Sequence, residues 1–181
     1  MTWVQTYTGI PFDLKNPKPE LVSIVDIAHQ LAHQCRFNGA CRTFYSVAQH
    51  SVIGARQLPP PFRKPFSLHD SPETYVGDWP RPMKVLMKEL GILPQMNTIY
   101  NNVAGAVGIR FEVDLLNLPP EVKHMDNVML ATEKRDLMAE PQQPWVALPD
   151  PLPLVIEPWS PERAKEEFLA LWYEITGEKV G

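Results

Sequence analysis

The stretch SIVDIAHQLAHQC, residues 23–35, sets the fold class. Ile24, Ile27, Ala28, Leu31, Ala32 and Cys35 recur at i, i+3, i+4 and i+7 spacing, which lines one face of a 3.6-residue helix. Ser23 stands just before this face, where a hydroxyl can accept from the free N–H groups of a helix start. Moving toward the C-terminus, Asn38-Gly39 marks a turn, and Ser46 is placed to cap a second helix reaching about Leu58. Pro59-Pro60-Pro61 is expected to end that helix, and a third should cover Phe62 to about Asp70. Pro72, Gly77, Pro80 and Pro82 break the next stretch into short pieces, with Pro82 as the first residue of a helix closing at Gly91. Residues 94–107 carry Met96, Ile99, Tyr100, Val103 and Val107 on one side, and Pro119-Pro120 opens a long helix to about Met138.

Both ends read differently. Residues 3–12, WVQTYTGIPF, place β-favouring side chains around Gly9, as in a short hairpin. Between 141 and 158, Pro141, Pro144, Pro149, Pro151, Pro153 and Pro158 alternate with Trp145, Leu148, Leu152, Val155 and Ile156. Such interleaving describes an extended arm packed on the surface. Ser160-Pro161-Glu162 starts a last helix and Gly177 ends it. The expectation is a single mainly α domain over 1–181: hairpin 1–20, helical core 21–140, Pro-rich arm and last helix 141–181.

Bulk properties narrow the function. A chain of 181 residues with 44% hydrophobic content can bury a real core. Net charge −4 argues against holding nucleic acid by bulk electrostatics. No apolar run approaches the ~20 residues that span a bilayer. The N-terminus has neither a basic flank nor an apolar block, so no signal peptide is expected and a cytoplasmic setting fits. Cys35 and Cys41 form no CxxC pattern and no disulfide framework.

His69-Asp70 pairs an imidazole with a carboxylate, both good ligands for a divalent transition metal, although the dipeptide alone is common by chance. Asp126 falls among Val122, Met125, Met129, Leu130 and Leu137, the apolar face of its helix. Burying an unpaired carboxylate is costly, so Asp126 is either half of a buried ion pair or a metal ligand. His50, mid-helix beside Val47, Ser51 and Gly54, is either a hydrogen-bonded core histidine or a ligand.

Several segments occur in a telling order: CRFNG (35–39), YSVAQHS (45–51), LHDSPETY (68–75), GDWPRPMK (77–84) and VKHMD with ATEKRDL (122–137). Together they resemble the HD-domain phosphohydrolases, in particular the small 5′-deoxynucleotidase-like branch that includes phage enzymes removing dATP. The resemblance implies an HD-domain helical bundle and assigns His50, His69, Asp70 and Asp126 as metal ligands, with Zn²⁺, Mn²⁺, Co²⁺ or Fe²⁺ as the ion. It places catalytic roles on Glu73 and Asp78, and substrate contacts on Arg36, Phe37 and Lys84. Arg81 is a further candidate for the phosphates, and Phe37 offers either a flat face for a base or core packing. It implies hydrolysis of deoxyadenylates, or of deoxynucleoside monophosphates broadly, in the cytoplasm (the host's, for a phage-encoded chain). A degenerate HD fold that only binds nucleotides is the non-enzymatic alternative. Relatives of this type are oligomers, and Trp145, Trp159, Leu169 and Trp172 either join a dimer or hexamer interface or cover their own core. Pro72 disfavours a helical Ser71, so the helix bearing the HD pair should end there and Glu73 should open a new turn.

Overall fold

The computed structural model describes residues 1–180, and it is mainly helical with one short hairpin. Strands β1 (Trp3–Gln5) and β2 (Pro11–Asp13) pair antiparallel, with Val4 opposite Phe12. Gly9 turns the chain between them at φ +87°, a region that glycine enters without steric cost. Phe12 is fully buried and stacks on Tyr75 at 3.8 Å, while Thr8 donates its N–H and hydroxyl to the buried Asp26 carboxylate. Those contacts fasten the hairpin to helix α1.

Helix α1 (Ile24–His33) begins where Ser23 accepts from Val25 N–H, and it buries Ile24, Ile27, Ala28, Leu31 and Ala32. Helix α2 (Val47–Gln57) begins at Ser46, whose hydroxyl accepts from Gln49 N–H. Helix α3 (Pro60–Leu68) starts earlier than expected. Pro60 and Pro61 occupy its first turn, where no N–H is required, so the proline run that stops α2 also launches α3. The short helix α4 (Glu73–Val76) follows Pro72. Helix α5 (Arg81–Glu89) opens at Arg81, one residue before Pro82. Helix α6 (Leu93–Phe111) runs beyond residue 107 and ends at Glu112 in a left-handed conformation. Helices α7 (Pro120–Leu137) and α8 (Pro161–Thr176) match the expected spans.

Helices α1, α2, α3 and α8 pack together, and α7 closes against α2 and α3. Gly54 permits the closest approach in this group. A Cβ there would meet the Phe66 ring at 2.3 Å and Met129 Cγ at 3.1 Å. Residues 138–160 run without regular structure from α7 to α8, burying Leu152 and Ile156. Trp172 is buried edge-on against Phe111, so it belongs to the chain's own core, whereas Trp145, Trp159 and Leu169 are half-buried. Exposed apolar side chains gather instead on and after α5, at Met83, Val85, Leu86, Leu90 and Ile92. Among the described residues no helix is long and apolar enough to cross a membrane.

Candidate metal centre

Helices α2, α3 and α7 each deliver one side chain to a common point. His50 comes from the first turn of α2, His69 from the residue that ends α3, and Asp126 from the second turn of α7. Their ligand atoms lie within 4.8 Å of one another. His50 Nε2 is 3.4 Å from His69 Nε2, and Asp126 Oδ1 is 3.4 Å and 3.7 Å from the two nitrogens. Asp70 stands at the edge of this group, its Oδ2 being 3.2 Å from His69 Nε2 and 3.8 Å from His50 Nε2.

Both imidazoles are oriented through their other nitrogen. His69 Nδ1 lies 2.6 Å from the Phe66 carbonyl, which can only accept, so Nδ1 carries the proton. His50 Nδ1 lies 2.6 Å from Glu133 Oε1, with both side chains wholly buried. Neutral rings held in this way turn two Nε2 lone pairs toward Asp126 Oδ1, while Asp70 Oδ2 stands at the edge and also accepts from Arg36 Nη1. With neutral rings three electron-pair donors then meet with no proton between them, an arrangement that repels itself unless a cation or added protons sit inside. Imidazole and carboxylate are the donors a divalent transition metal takes, and the Nδ1 contacts are the supporting hydrogen bonds such ligands use. The residues therefore fit a metal ion.

Electrostatics agree with that charge demand. Burial and the Arg36 charge depress the His50 imidazole, yet Glu133 and Asp126 outweigh them and lift it to about 9. Burial also opposes protonation of His69, but Asp70 and Asp126 raise it. Asp126 is pushed upward by burial and, more strongly, held far below the usual carboxylate range by His50 and His69. In the metal-free protein, protons on the histidines supply the positive charge that the carboxylates require.

Asp126 departs from its expected setting, because its side chain is 39% exposed and sits at the rim of the apolar face. The buried acid of α7 is Glu133, which sequence reasoning missed. It lies seven residues beyond Asp126 and between Met129 and Leu137 at four-residue steps, so helical periodicity alone puts it on the inner face. Burial opposes its ionisation, but Arg36, His50 and Tyr45 keep it below the usual range.

Arg36 bridges the acids. Nη1 lies 3.3 Å from Asp70 Oδ2 and Nη2 lies 3.1 Å from Glu133 Oε2. The next two residues, Phe37 and Asn38, are both left-handed at φ +54° and +52°, a strained state for side chains with a Cβ. A bridge between Cys35 and Ser46 pins the ends of this loop, and the Phe37 ring lies 6.2 Å from Trp145. Cys35 and Cys41 are both free thiols.

The HD helix stops as its sequence suggests. His69 ends α3, Asp70 lies in the connecting turn, and Glu73 opens α4 with its N–H donating to the Asp70 carbonyl. Gln34 and Gln30 donate to the Glu73 and Thr74 carbonyls, which fixes α4 against α1. The Glu73 side chain is buried and its Oε2 has no hydrogen-bond partner among the described residues. Burial, then the charges of Asp70 and Asp78, push its carboxyl well above the usual range. Asp78 is likewise raised, chiefly by burial. Lys84 is exposed on α5 and makes no ion pair among the described residues. Arg81 reaches across to Asn127 Oδ1 at 3.4 Å, beside Asp126. Tyr100, read from sequence only as part of an apolar face, places its hydroxyl 3.5 Å from the His69 carbonyl oxygen. A surface cavity of about 520 Å³ lies between the end of α7 and the arm, at Lys134 and Trp145, and none of the metal-centre residues lines it.

Comparison with known proteins adds kinship. The chain is 32% identical over 148 residues to the uncharacterized protein YfdR of Escherichia coli K12, a match covering 82% of this chain and 79% of YfdR. The chain belongs to the YfdR family. The chain is also 32% identical over 130 residues to an uncharacterized protein of Rhodobacter capsulatus, a match covering 67% of this chain and 63% of that protein. No family model matches the chain.

Proposed function

We propose that this YfdR-family chain is a metal-dependent phosphohydrolase of the HD-domain type, acting on purine 2′-deoxynucleotides and foremost on dATP, dADP and dAMP. One observation carries the metal-dependent reading: His50, His69 and Asp126 turn three electron-pair donors toward a common point, with Asp70 at its edge, while Glu133 and the Phe66 carbonyl hold the far side of both imidazoles. These residues would hold the ion. When bound, a divalent metal lowers the pKa of a water molecule and polarises a phosphoryl group.

The protein's own residues have distinct parts. Glu73 is buried, lacks a partner at Oε2 and holds protons more tightly than an ordinary carboxylate. Those properties suit a group that takes a proton from water and returns it to a leaving oxygen. Asp78 adds negative charge that keeps Glu73 basic. Lys84 is free to meet phosphate oxygens as a point charge, and Arg81 stands near it on the same helix. Arg36 spends its guanidinium on Asp70 and Glu133, so in this reading it holds the acids in place more than it grips phosphate. Phe37, with Trp145 beside it, offers a flat apolar wall for a base or sugar. The deoxyadenylate preference follows from the likeness of the ordered segments to phage dATP-removing enzymes.

The test is metal analysis of gently purified protein, followed by product analysis with dATP, dADP, dAMP and dGTP. Bound divalent metal and metal-dependent release of phosphate or polyphosphate from dATP are expected. Release from monophosphates alone would replace this substrate assignment with a broad 5′-deoxynucleotidase. A protein that binds no divalent metal and hydrolyses none of the four would sink the enzymatic reading and favour a nucleotide-binding module.

A further inference from the structure

Two of the three helices that meet at the metal centre, α2 and α7, are also joined through the Pro-rich arm. Gln49 precedes His50 on α2 and is wholly buried. Its side chain is fully committed to the arm: Nε2 donates to the Glu157 carbonyl at 2.7 Å, and Oε1 accepts from Trp159 N–H at 2.9 Å. Successive residues on a helix point about 100° apart, so α2 can serve the metal with His50 and the arm with Gln49. Helix α7 shows the same division. Thr132, next to Glu133, accepts from Leu152 N–H at 2.9 Å, and Asp136 accepts from Ile156 N–H at 2.8 Å. Arg135 donates to the Leu152 and Leu154 carbonyls.

The arm has no ladder or helix of its own, and these side chains are where its backbone groups find partners. Its prolines already restrict φ, which lowers the entropy lost on docking. It thus spans from α7, at the neighbours of Glu133, to α2, at the neighbour of His50. The contact it brackets is the one between His50 and Glu133, which orients a ligand ring.

We propose that the Pro-rich arm is a positioning strap for the metal centre, with Gln49 and Thr132 as its anchoring residues. The proposal rests on the metal-centre reading above. By fixing the spacing of α2 and α7, the strap keeps Glu133 within reach of His50 Nδ1, and so keeps His50 Nε2 aimed at the ion. Neither anchor touches the ion or substrate; both act through their neighbours.

Cobalt(II) titration of the full chain tests it, read by the visible absorption of the bound ion and by affinity, with thermal unfolding measured alongside. Gln49→Ala should weaken cobalt binding by up to roughly tenfold, no more than the loss of a ligand's own hydrogen-bond partner costs at its lower end, and alter the absorption spectrum. Thr132→Val, nearly the same shape, removes one arm contact beside Glu133 and should act in the same direction even if Gln49→Ala folds poorly. Leu171→Ala, a buried apolar change in α8 that removes none of the arm's hydrogen bonds, should lower Tm while leaving cobalt affinity and spectrum unchanged. Anchor variants that lose stability like Leu171→Ala but bind cobalt as the parent does would overturn the strap and leave the arm as a core cover. A parent protein that binds no cobalt would instead overturn the metal reading, and this inference with it.

Discussion

His50 Nδ1 lies 2.6 Å from Glu133 Oε1 in a contact from which solvent is wholly excluded. That contact joins α2 to α7 and decides which imidazole nitrogen is left to face Asp126. It also places Glu133 between two positive partners, because Arg36 reaches its other oxygen.

Glu133→Ala should therefore be among the most damaging single changes. It leaves the buried Arg36 guanidinium with only Asp70 and frees the His50 ring. Breaking a buried charge pair costs about 3–5 kcal/mol, and loss of an orienting partner lowers metal affinity by roughly 10- to 100-fold. Thermal unfolding and metal titration check both. Near-native stability would show that Glu133 does not hold Arg36 and His50 in place.

Asp126→Ala should separate metal from fold. The Asp126 side chain is 39% exposed at the rim, so its loss opens no core cavity and the variant should still fold, as unfolding of both proteins in chelator would show. Metal content and hydrolysis should both collapse. A variant that kept the parent's metal-to-protein ratio would remove Asp126 from the ligand set.

The metal-free protein should lose stability as pH rises. Folded His50 keeps its proton to about 9, above the ~6.5 of an unfolded histidine. A raised pKa contributes stability that is complete below ~6.5 and disappears as pH climbs through about 9. Metal replaces that proton, so its affinity should rise over the same interval. Unfolding scans with and without chelator, from pH 6 to about 9.5, would read this. A flat chelated profile contradicts it.

Glu73→Gln should divide rate from stability. As a proton carrier, Glu73 contributes a factor of roughly 10²–10⁴, which the amide cannot supply, while metal content should stay unchanged. Its carboxyl is raised by burial, Asp70 and Asp78, so the metal-free fold loses stability as pH climbs from the ~4.3 of an unfolded glutamate toward that raised value. The neutral variant should then be the more stable protein at pH 8 and lose its advantage in acid. Turnover close to the parent's would exclude Glu73 from the chemistry.

Gly54→Ala should be harmful although alanine is the better helix former. The added Cβ would meet the Phe66 ring at 2.3 Å, and that ring lies 4.6 Å from His69 and 5.6 Å from His50. Overpacking of this kind costs about 1–3 kcal/mol. A Tm at or above the parent's would mean that Phe66 moves aside freely.

The local elements could be read from sequence because their causes are local. Ser23, Ser46 and Ser160 cap the helices they precede, apolar spacing marks the inner face of α1, and Pro72 separates the HD pair from Glu73. Residue types and order also singled out His50, His69, Asp70 and Asp126 as candidates. Only the tertiary structure could decide what each one faces. It gathered three of the four within 4.8 Å, set Asp70 against Arg36, and moved Asp126 to a rim. It also brought Glu133 and the arm's anchors, Gln49 and Thr132, into view. Periodicity can say that a side chain points inward, but it cannot say what meets it there. That depends on how close α2, α3 and α7 approach, a distance set by Gly54, Phe66 and the packing of the whole chain.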